Sequence, residues 1–465
     1  MKILSELLED VPILETHGNL DARVSSVSLN SKEIEPHAIF VAIKGNVVDG
    51  HSFIDEVIEK GATTIVFEKD PKEFKNGVTY IKVQDTHSIV GLIASNFYNN
   101  PSRKMKLVGV TGTNGKTTTA TLLHKLFINL GYKSGMIGTI GNKINDKFLE
   151  TTRTTPDPVT LNKILALMVD NGCEYCFMEV SSHSVSEKRI SGLSFAGGIF
   201  TNLTLDHLDY HKTIENYCDA KKNFFDILPA TSFAIANIDD GNGEYMLSTT
   251  KARTYTLSLK KEADFNERLE TKLLGEFNAY NVLGVYAAAV LLGQDKEKVK
   301  EAIKNLEPVA GRFQFIKSTN NITGIVDYAH SPDALDNVLK TANEIKSNGR
   351  IIAVVGCGGD RDKSKRPIMA KIGYDMSDIL ILTSDNPRTE KPEDILSEMQ
   401  KGLPLEALDK VEIIIDRHVA IQRACELAKS GDYILLAGKG HENYQEINGI
   451  KNHFDDMEEL QKYLK

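Results

Sequence analysis

Apolar residues in this chain fall into short runs, and between the runs they recur at helical spacing. Lys106-Leu-Val-Gly-Val110 reads as a buried strand. Beyond it, Leu122, Leu123, Leu126, Phe127 and Leu130 repeat at intervals of three and four, the signature of a helix with one buried face. From there to about residue 310 strands and helices alternate, which predicts a mostly parallel sheet. Upstream, Ile39-Phe-Val-Ala-Ile43 and Thr64-Ile-Val-Phe67 read as short buried strands, with a helix from Phe53 to Lys60 between them. Met1 to Asp10 reads as the start of an acidic amphipathic helix. Downstream, the runs ending at Asp327, Val355, Leu382 and Ala437 are apolar strands, each leading into a polar loop. In an open α/β sheet such strand ends share one edge, where ligands bind. Turn-rich Asn99-Asn100-Pro101-Ser102 is a break, and Gly311-Arg312-Phe313 opens another segment. The chain is therefore read as an α/β protein of three domains, 1–97, 98–310 and 311–465, the second carrying a nucleotide loop.

The strongest chemical signal is Gly109-Val-Thr-Gly112-Thr113-Asn114-Gly115-Lys116-Thr117-Thr118-Thr119, between the strand and the helix. Glycines let backbone N–H groups converge, and the helix N-terminus adds partial positive charge, so the segment suits phosphate. Lys116 can reach terminal phosphates, and the Thr117 hydroxyl suits Mg²⁺. The pattern departs from the usual one at Val110, where a glycine is common. Phe177-Met-Glu179-Val-Ser-Ser-His183 delivers a carboxylate at a strand end, the usual place for a Mg²⁺-side acid. Asp206-His207-Leu-Asp-Tyr-His211 gathers imidazoles and carboxylates after another apolar run. Gly356-Cys-Gly358-Gly359 looks like a dinucleotide fingerprint, but Asp-Arg-Asp-Lys follows where a helix should begin. Cys173-Glu-Tyr-Cys176 has metal-like spacing without a second pair, so two core cysteines are expected.

Composition narrows the field. A chain of 465 residues exceeds one ordinary core, and 41% hydrophobic with 26% charged residues is globular. A formal net charge of −9 argues against a nucleic-acid partner. The N-terminus is not a signal peptide and no apolar stretch spans a bilayer, so a cytoplasmic protein is expected.

Taken together, Gly112–Thr118, Met178–His183, Asp206–His211, Ala220-Lys221, Gly275-Glu-Phe-Asn278-Ala-Tyr-Asn281, Asp327–Asp333 and Gly438-Lys-Gly-His-Glu442 resemble the Mur ligases, in order and over nearly the whole length. The resemblance implies an N-terminal domain for a uridine nucleotide, a central ATPase domain and a C-terminal Rossmann-like domain for an incoming amino acid. It implies a reaction in which ATP phosphorylates a carboxylate of UDP-N-acetylmuramoyl-L-alanyl-D-glutamate and an amino acid's amine captures the acyl phosphate. Phosphorylation gives a poor electrophile a leaving group, and joining anions requires cationic screening.

By this resemblance Gly112, Thr113, Asn114, Gly115, Lys116, Thr117 and Thr118 hold ATP phosphates, Asn278 and Asn281 the adenine, and Arg312 and Asp327 the phosphates and ribose. Thr117 and Glu179 would bind one Mg²⁺, and His207 and Lys221 a second, Lys221 as its CO₂ adduct; Lys116, Glu179, His207 and Lys221 form the catalytic set. Lys222 beside it reads as a surface lysine. Leu29, Ser31, Asn46, Val47 and Val48 would meet the uridine nucleotide, and Thr154, Thr155, Ser181, Glu187 and Arg189 the muramoyl dipeptide. The chain has Asn30-Ser31-Lys32 where the family usually has Asp-Ser-Arg, and Glu187 where some members have Gln. Asp385-Asn386-Pro387-Arg388 accompanies meso-2,6-diaminopimelate in the family. Arg361 and Arg388 would reward its extra carboxylate over the bare ammonium of L-lysine, the alternative substrate, with Gly438 and Glu442 on the distal ammonium. A monomer using only small-molecule substrates is expected. A phosphate loop alone would equally suit a nucleotide switch, which has no use for Lys221, His207 or Arg388.

Overall fold

The computed structural model describes every residue except 46, 47, 152, 347, 405–408 and 465. Its core is three successive α/β sheets. The first has five strands in the order Glu15–His17, Thr79–Lys82, Thr64–Phe67, Ile39–Val41, Val27–Ser28, parallel except for the first. The second has eight, in the order Lys147–Leu149, Asn142–Ile144, Ser134–Ile137, Tyr175–Glu179, Lys106–Thr111, Gly197–Phe200, Phe233–Asn237, Arg253–Leu257. Six of these run parallel, and an antiparallel hairpin caps one edge. The third has six, in the order Gln314–Lys317, Thr323–Asp327, Tyr433–Ala437, Ile351–Cys357, Ile379–Ser384, Val411–Ile413, parallel except for the first.

The second sheet explains its apolar runs. Parallel strands covered by helices are buried on both faces, so alternation disappears. Leu107 and Met178 point into one core layer, with Phe224 and Phe225. Val108, Val110 and Phe177 point into the other, against Leu122, Leu123, Leu126 and Phe127 of the helix Lys116–Asn129. After Tyr175–Glu179 the chain crosses to the other side of Lys106–Thr111, so the loop following Thr111 opens at the point where strand order reverses. In the third sheet, Asp327, Cys357, Ser384 and Ala437 terminate parallel neighbours and lie along one edge, as their sequence context predicts.

Two readings need correction, at Met1–Asp10 and at Lys222. Met1–Asp10 holds a two-residue strand and a single helical turn, Leu4–Leu7; its N-cap Ile3 offers no side-chain cap, and Asp10 turns into left-handed backbone at φ 61°. The helix expected over Phe53 to Lys60 is present as Ile54–Glu59, with Phe53 and Lys60 as its caps, behind a 3₁₀ turn capped by Asp49. Lys222 is no surface lysine: it is buried and donates to Asp226, one turn on, at 2.8 Å. Cys173 and Cys176 are buried free thiols in the core, as expected. Among the described residues no helix is long and apolar enough to cross a membrane.

The first sheet docks onto the second through the helix Thr86–Phe97. A Cβ at Gly91 of that helix would lie 2.0 Å from the Ser191 carbonyl oxygen, so this contact admits only glycine. Gly91→Ala is expected to cost about 1–3 kcal/mol by forcing backbone apart, read as a lowered urea midpoint. An unchanged midpoint would mean the helix does not dock this closely.

Candidate active site

The helix Lys116–Asn129 begins at Gly115, in left-handed backbone, with no side chain capping its N-terminus. Its first N–H groups are thus left for an anion. Lys116 Nζ donates to the Gly112 and Thr113 carbonyls at 2.8 and 2.7 Å, folded over the loop. Desolvation and the nearby Arg312 lower its pKa. Thr117 Oγ1 donates to Glu179 Oε2 at 2.9 Å and accepts from Arg312 Nη2 at 3.1 Å. Glu179, at the end of its strand, is buried and also accepts from the Thr139 N–H at 2.7 Å. A threonine hydroxyl and a carboxylate side by side are a hard-oxygen donor set, which fits Mg²⁺. Among the described residues no three His, Cys, Asp or Glu side chains form a ready metal cage.

A cavity of about 480 Å³ opens beside this loop. Asn114, Gly115, Thr118, Asn281, Arg312 and Asp327 line it, together with Asp333. Asn281 Nδ2 donates to Asn278 Oδ1 at 3.3 Å; Asn278 stands behind it, anchored to the Leu274 carbonyl at 2.8 Å. Asp327 accepts from the Phe313 N–H at 2.6 Å, and burial raises its carboxyl to about 6 against the pull of Arg312. The third sheet's domain reaches the loop directly: Asn114 Nδ2 donates to Asp333 Oδ2 at 2.9 Å.

Lys221 is fully buried and donates to the Gly112 carbonyl at 2.7 Å, with its Nζ 4.3 Å from the centre of the Tyr217 ring. Burial and the Lys116 charge drive its pKa well below that of an ordinary lysine. Tyr217 Oη in turn lies 3.1 Å from Thr113 Oγ1. His207 sits in left-handed backbone, its ring centroid 4.9 Å from His183; desolvation and nearby Lys116 hold its imidazole below the ordinary range, against Asp206. Thr154 Oγ1 lies 3.0 Å from Thr139 Oγ1. Thr155 Oγ1 donates to the Glu179 carbonyl at 2.8 Å and lies 3.4 Å from Ser181 Oγ. Arg189 donates to the Thr155 carbonyl at 2.9 Å and forks onto Glu187 at 2.8 and 2.5 Å. Thr155, Ser181, Glu187 and Arg189 therefore form one cluster beside Glu179. Leu29 and Ser31 follow Val27–Ser28, and Val48 follows Ile39–Val41, so both segments leave the same edge of the first sheet. Leu29 packs on that sheet's core, the Ser31 carbonyl accepts from Lys60 at 2.9 Å, and Val48 is exposed. Asn46 and Val47 lie outside the described residues.

The third sheet's edge carries a second polar cluster. A Cβ at Gly438, φ 118°, would fall 2.8 Å from Asp385 Oδ2, so glycine lets that carboxylate close on the strand end. Asn386 Nδ2 donates to Glu442 Oε2 at 2.7 Å. Buried Pro387 leads to Arg388, whose Nη1 donates to the Gly359 carbonyl at 2.8 Å and whose Nε lies 3.6 Å from Glu446. Arg361 is exposed; its Cγ and Arg388 Nη1 flank the Cβ position of Gly358, at 3.8 and 2.9 Å. A guanidinium pole thus stands beside a carboxylate pole. The turn carrying Glu442 also places His441 5.1 Å from Tyr328, whose ring lies 4.5 Å beneath Arg312. A continuous path of contacts therefore joins this cluster to Thr117.

Reasoning from sequence missed Thr139, Tyr217 and Glu446; only the fold brings them in. Asp333 lay within the Asp327–Asp333 motif without a role of its own. Lys439 lay within a recognised motif without a role of its own.

The three sheets with a phosphate loop at the central switch point define a multidomain nucleotide-dependent enzyme. Family models match in three consecutive stretches: Mur ligase family, catalytic domain, over 23–98; Mur ligase middle domain over 110–289; and Mur ligase, glutamate ligase domain, over 311–440. The chain belongs to the Mur ligase family. It is 52% identical to the UDP-N-acetylmuramoyl-L-alanyl-D-glutamate--2,6-diaminopimelate ligase of Phocaeicola vulgatus, over 98% of both chains. It is also 52% identical to the ligase of that name from Bacteroides fragilis, over 99% of this chain and 98% of the relative. A solved structure of a UDP-N-acetylmuramoyl-L-alanyl-D-glutamate--2,6-diaminopimelate ligase superposes with TM-score 0.71 at 31% identity, covering 98% of each chain.

Asp327 yields a pH prediction. Its folded pKa, about 6, lies above the 3.8 of an exposed carboxyl, so the folded state binds the proton more tightly. Stability from this group is present below about pH 4 and is lost as pH rises through 6. Asp327→Asn keeps an acceptor for Phe313 without the charge. Its urea stability is expected to match wild type near pH 4 and to exceed it by up to about 3 kcal/mol above pH 7. A difference that does not change with pH would refute the assignment.

Proposed function

We propose that the chain is the ATP-dependent ligase that adds meso-2,6-diaminopimelate to UDP-N-acetylmuramoyl-L-alanyl-D-glutamate in cytoplasmic peptidoglycan precursor synthesis, acting as a monomer. The observation that carries the choice of amino acid is the two-pole cluster on the third sheet. Its guanidinium pole, Arg388 with Arg361, suits a distal carboxylate, and its carboxylate pole, Asp385 with Glu442, suits the ammonium on the same carbon. L-Lysine would leave the first pole unpaired. Whole-length identity to ligases of that name supports the same reading.

Residues 1–97 would hold the uridine nucleotide, 98–310 the ATP and 311–465 the amino acid. Lys116 and the open helix N-terminus would take the ATP phosphates, Arg312 would bridge from the third domain, and Asn278 and Asn281 would sit on the base side. Thr155, Ser181, Glu187 and Arg189 would orient the dipeptide so that its terminal carboxylate meets the γ-phosphate. Mg²⁺, held by Thr117 and Glu179 and at a second place by His207 and Lys221, would supply charge neutralisation as the phosphoryl group moves. A lysine driven toward its neutral amine is a nucleophile for CO₂, and the adduct turns Lys221 from a cation into an anionic ligand. The acyl phosphate formed on the dipeptide is then opened by the amine, giving the amide and phosphate.

Purified protein with ATP, Mg²⁺ and the muramoyl dipeptide is expected to release phosphate in response to meso-diaminopimelate and far less to L-lysine. The reverse preference, or hydrolysis indifferent to precursor, would overturn the reading. Arg388→Ala is expected to raise the diaminopimelate KM about 10-fold or more, with little change in the KM for ATP.

A further inference from the structure

Lys439 is fully buried at the floor of the amino-acid cluster. Its Nζ donates to Asn386 Oδ1 at 3.2 Å, to Glu442 Oε2 at 3.4 Å and to the Tyr444 carbonyl at 2.5 Å. Asp385 Oδ1 lies 3.9 Å away, buried and without a hydrogen-bond partner among the described residues. Asn386 Oδ1 also accepts from the Glu446 N–H at 2.9 Å, and Gln445 Nε2 donates to the Asp385 carbonyl at 2.7 Å. One ammonium therefore ties together the strand end at 385–388, the turn at 438–442 and the ribbon that starts at Tyr444. The neighbouring buried cation, Arg417, is already spent on Asp456, with bonds of 2.7 and 2.6 Å.

The formal charges at this end of the site are negative at Asp385, Glu442 and Glu446 and positive at Lys439, Arg388 and Arg361. They cancel only because Lys439 is present. Burial and Asp385 raise the pKa of Glu442, and Lys439 with Asn386 opposes them. A neutral subsite with separated poles matches a zwitterionic end group, whereas a subsite with one net negative charge favours a bare cation.

We propose that Lys439 is the charge-setting and positioning residue of the amino-acid subsite: it brings the subsite to neutrality and fixes Asn386 and Glu442, so that a zwitterionic distal end is chosen over a cationic one. It acts through its partners and does not handle the reacting atoms. The inference rests on the ligase reading above.

The test compares wild type, Lys439→Met and the charge-compensated Lys439→Met/Glu442→Gln. Phosphate release is followed with meso-diaminopimelate and with L-lysine, and folding is checked by circular dichroism and thermal unfolding. Lys439→Met is expected to lower the diaminopimelate-over-lysine ratio of kcat/KM about 10-fold or more, mainly through the diaminopimelate KM. The KM values for ATP and for the muramoyl dipeptide should stay within about twofold. The double variant should recover most of the ratio, though not the full rate, because neutrality returns without the original anchoring. A ratio unchanged in Lys439→Met would reduce the lysine to a structural brace and overturn the proposal. So would a double variant whose ratio falls below that of the single. Where the single variant does not fold, the double decides alone, since a ratio lost at restored neutrality contradicts the proposal. If wild type shows no diaminopimelate-dependent turnover, it is the ligase reading that fails.

Discussion

The Thr117 hydroxyl has one proton to give and lone pairs to accept, and both are used. It donates to Glu179 at the end of one strand of the second sheet and accepts from Arg312, which opens the third domain. That junction requires Glu179 beside the phosphate loop, hence the strand Tyr175–Glu179 beside Lys106–Thr111. It also requires the third domain to swing its first residues over the loop. Asn114 and Asp333 make a second contact of the same kind. Under the proposed assignment an incoming nucleotide and metal would compete with Arg312 for this hydroxyl and with Thr117 for this carboxylate.

The site is built from charges that are expensive to bury. Lys221 has a carbonyl and an aromatic face for company, and Lys439 is enclosed among carboxylates, an amide and a carbonyl. Groups of this kind contribute little net stability and lose a great deal when one partner is removed. Their arrangement makes sense in terms of what has to enter. Under the proposed function a phosphate chain and a carboxylate would bring negative charge to the lysines around the loop, and a zwitterion would add no net charge to the neutral cluster around Lys439.

How much of this could be read in the sequence follows from the range of the interactions. The phosphate loop, Glu179 and the four strand ends of the third sheet depend on local patterning: an apolar run, a turn and a helix. They were legible, and so was the three-domain order. Lys222 was misread because helical spacing placed it on a solvated face, whereas the segment around Thr249 and Thr250 folds over that face and Asp226 completes the pair. The N-terminal helix shrank to one turn because an amphipathic pattern without a cap competes poorly with pairing of Lys2–Ile3 to Arg23–Val24. Thr139 and Tyr217 carried no local signal, since Thr139 meets Glu179 and Tyr217 meets Thr113 of the loop across 40 residues or more of chain, while Asp333 lay in a recognised motif whose contact with Asn114 only the fold reveals.

The third domain has two tasks that a single strand order solves. Asp327 ends the strand beside Tyr433–Ala437, so the residues after it, Tyr328 and His330, and the turn Gly438–Glu442 emerge next to each other. One side of that pair faces Arg312 and the phosphate loop; the other faces Asp385 and the amino-acid cluster. An amine and an acyl phosphate must approach to about 3 Å to react. Parallel neighbours that end at the same edge put the proposed amino-acid subsite and the phosphate side on adjacent turns without a long loop.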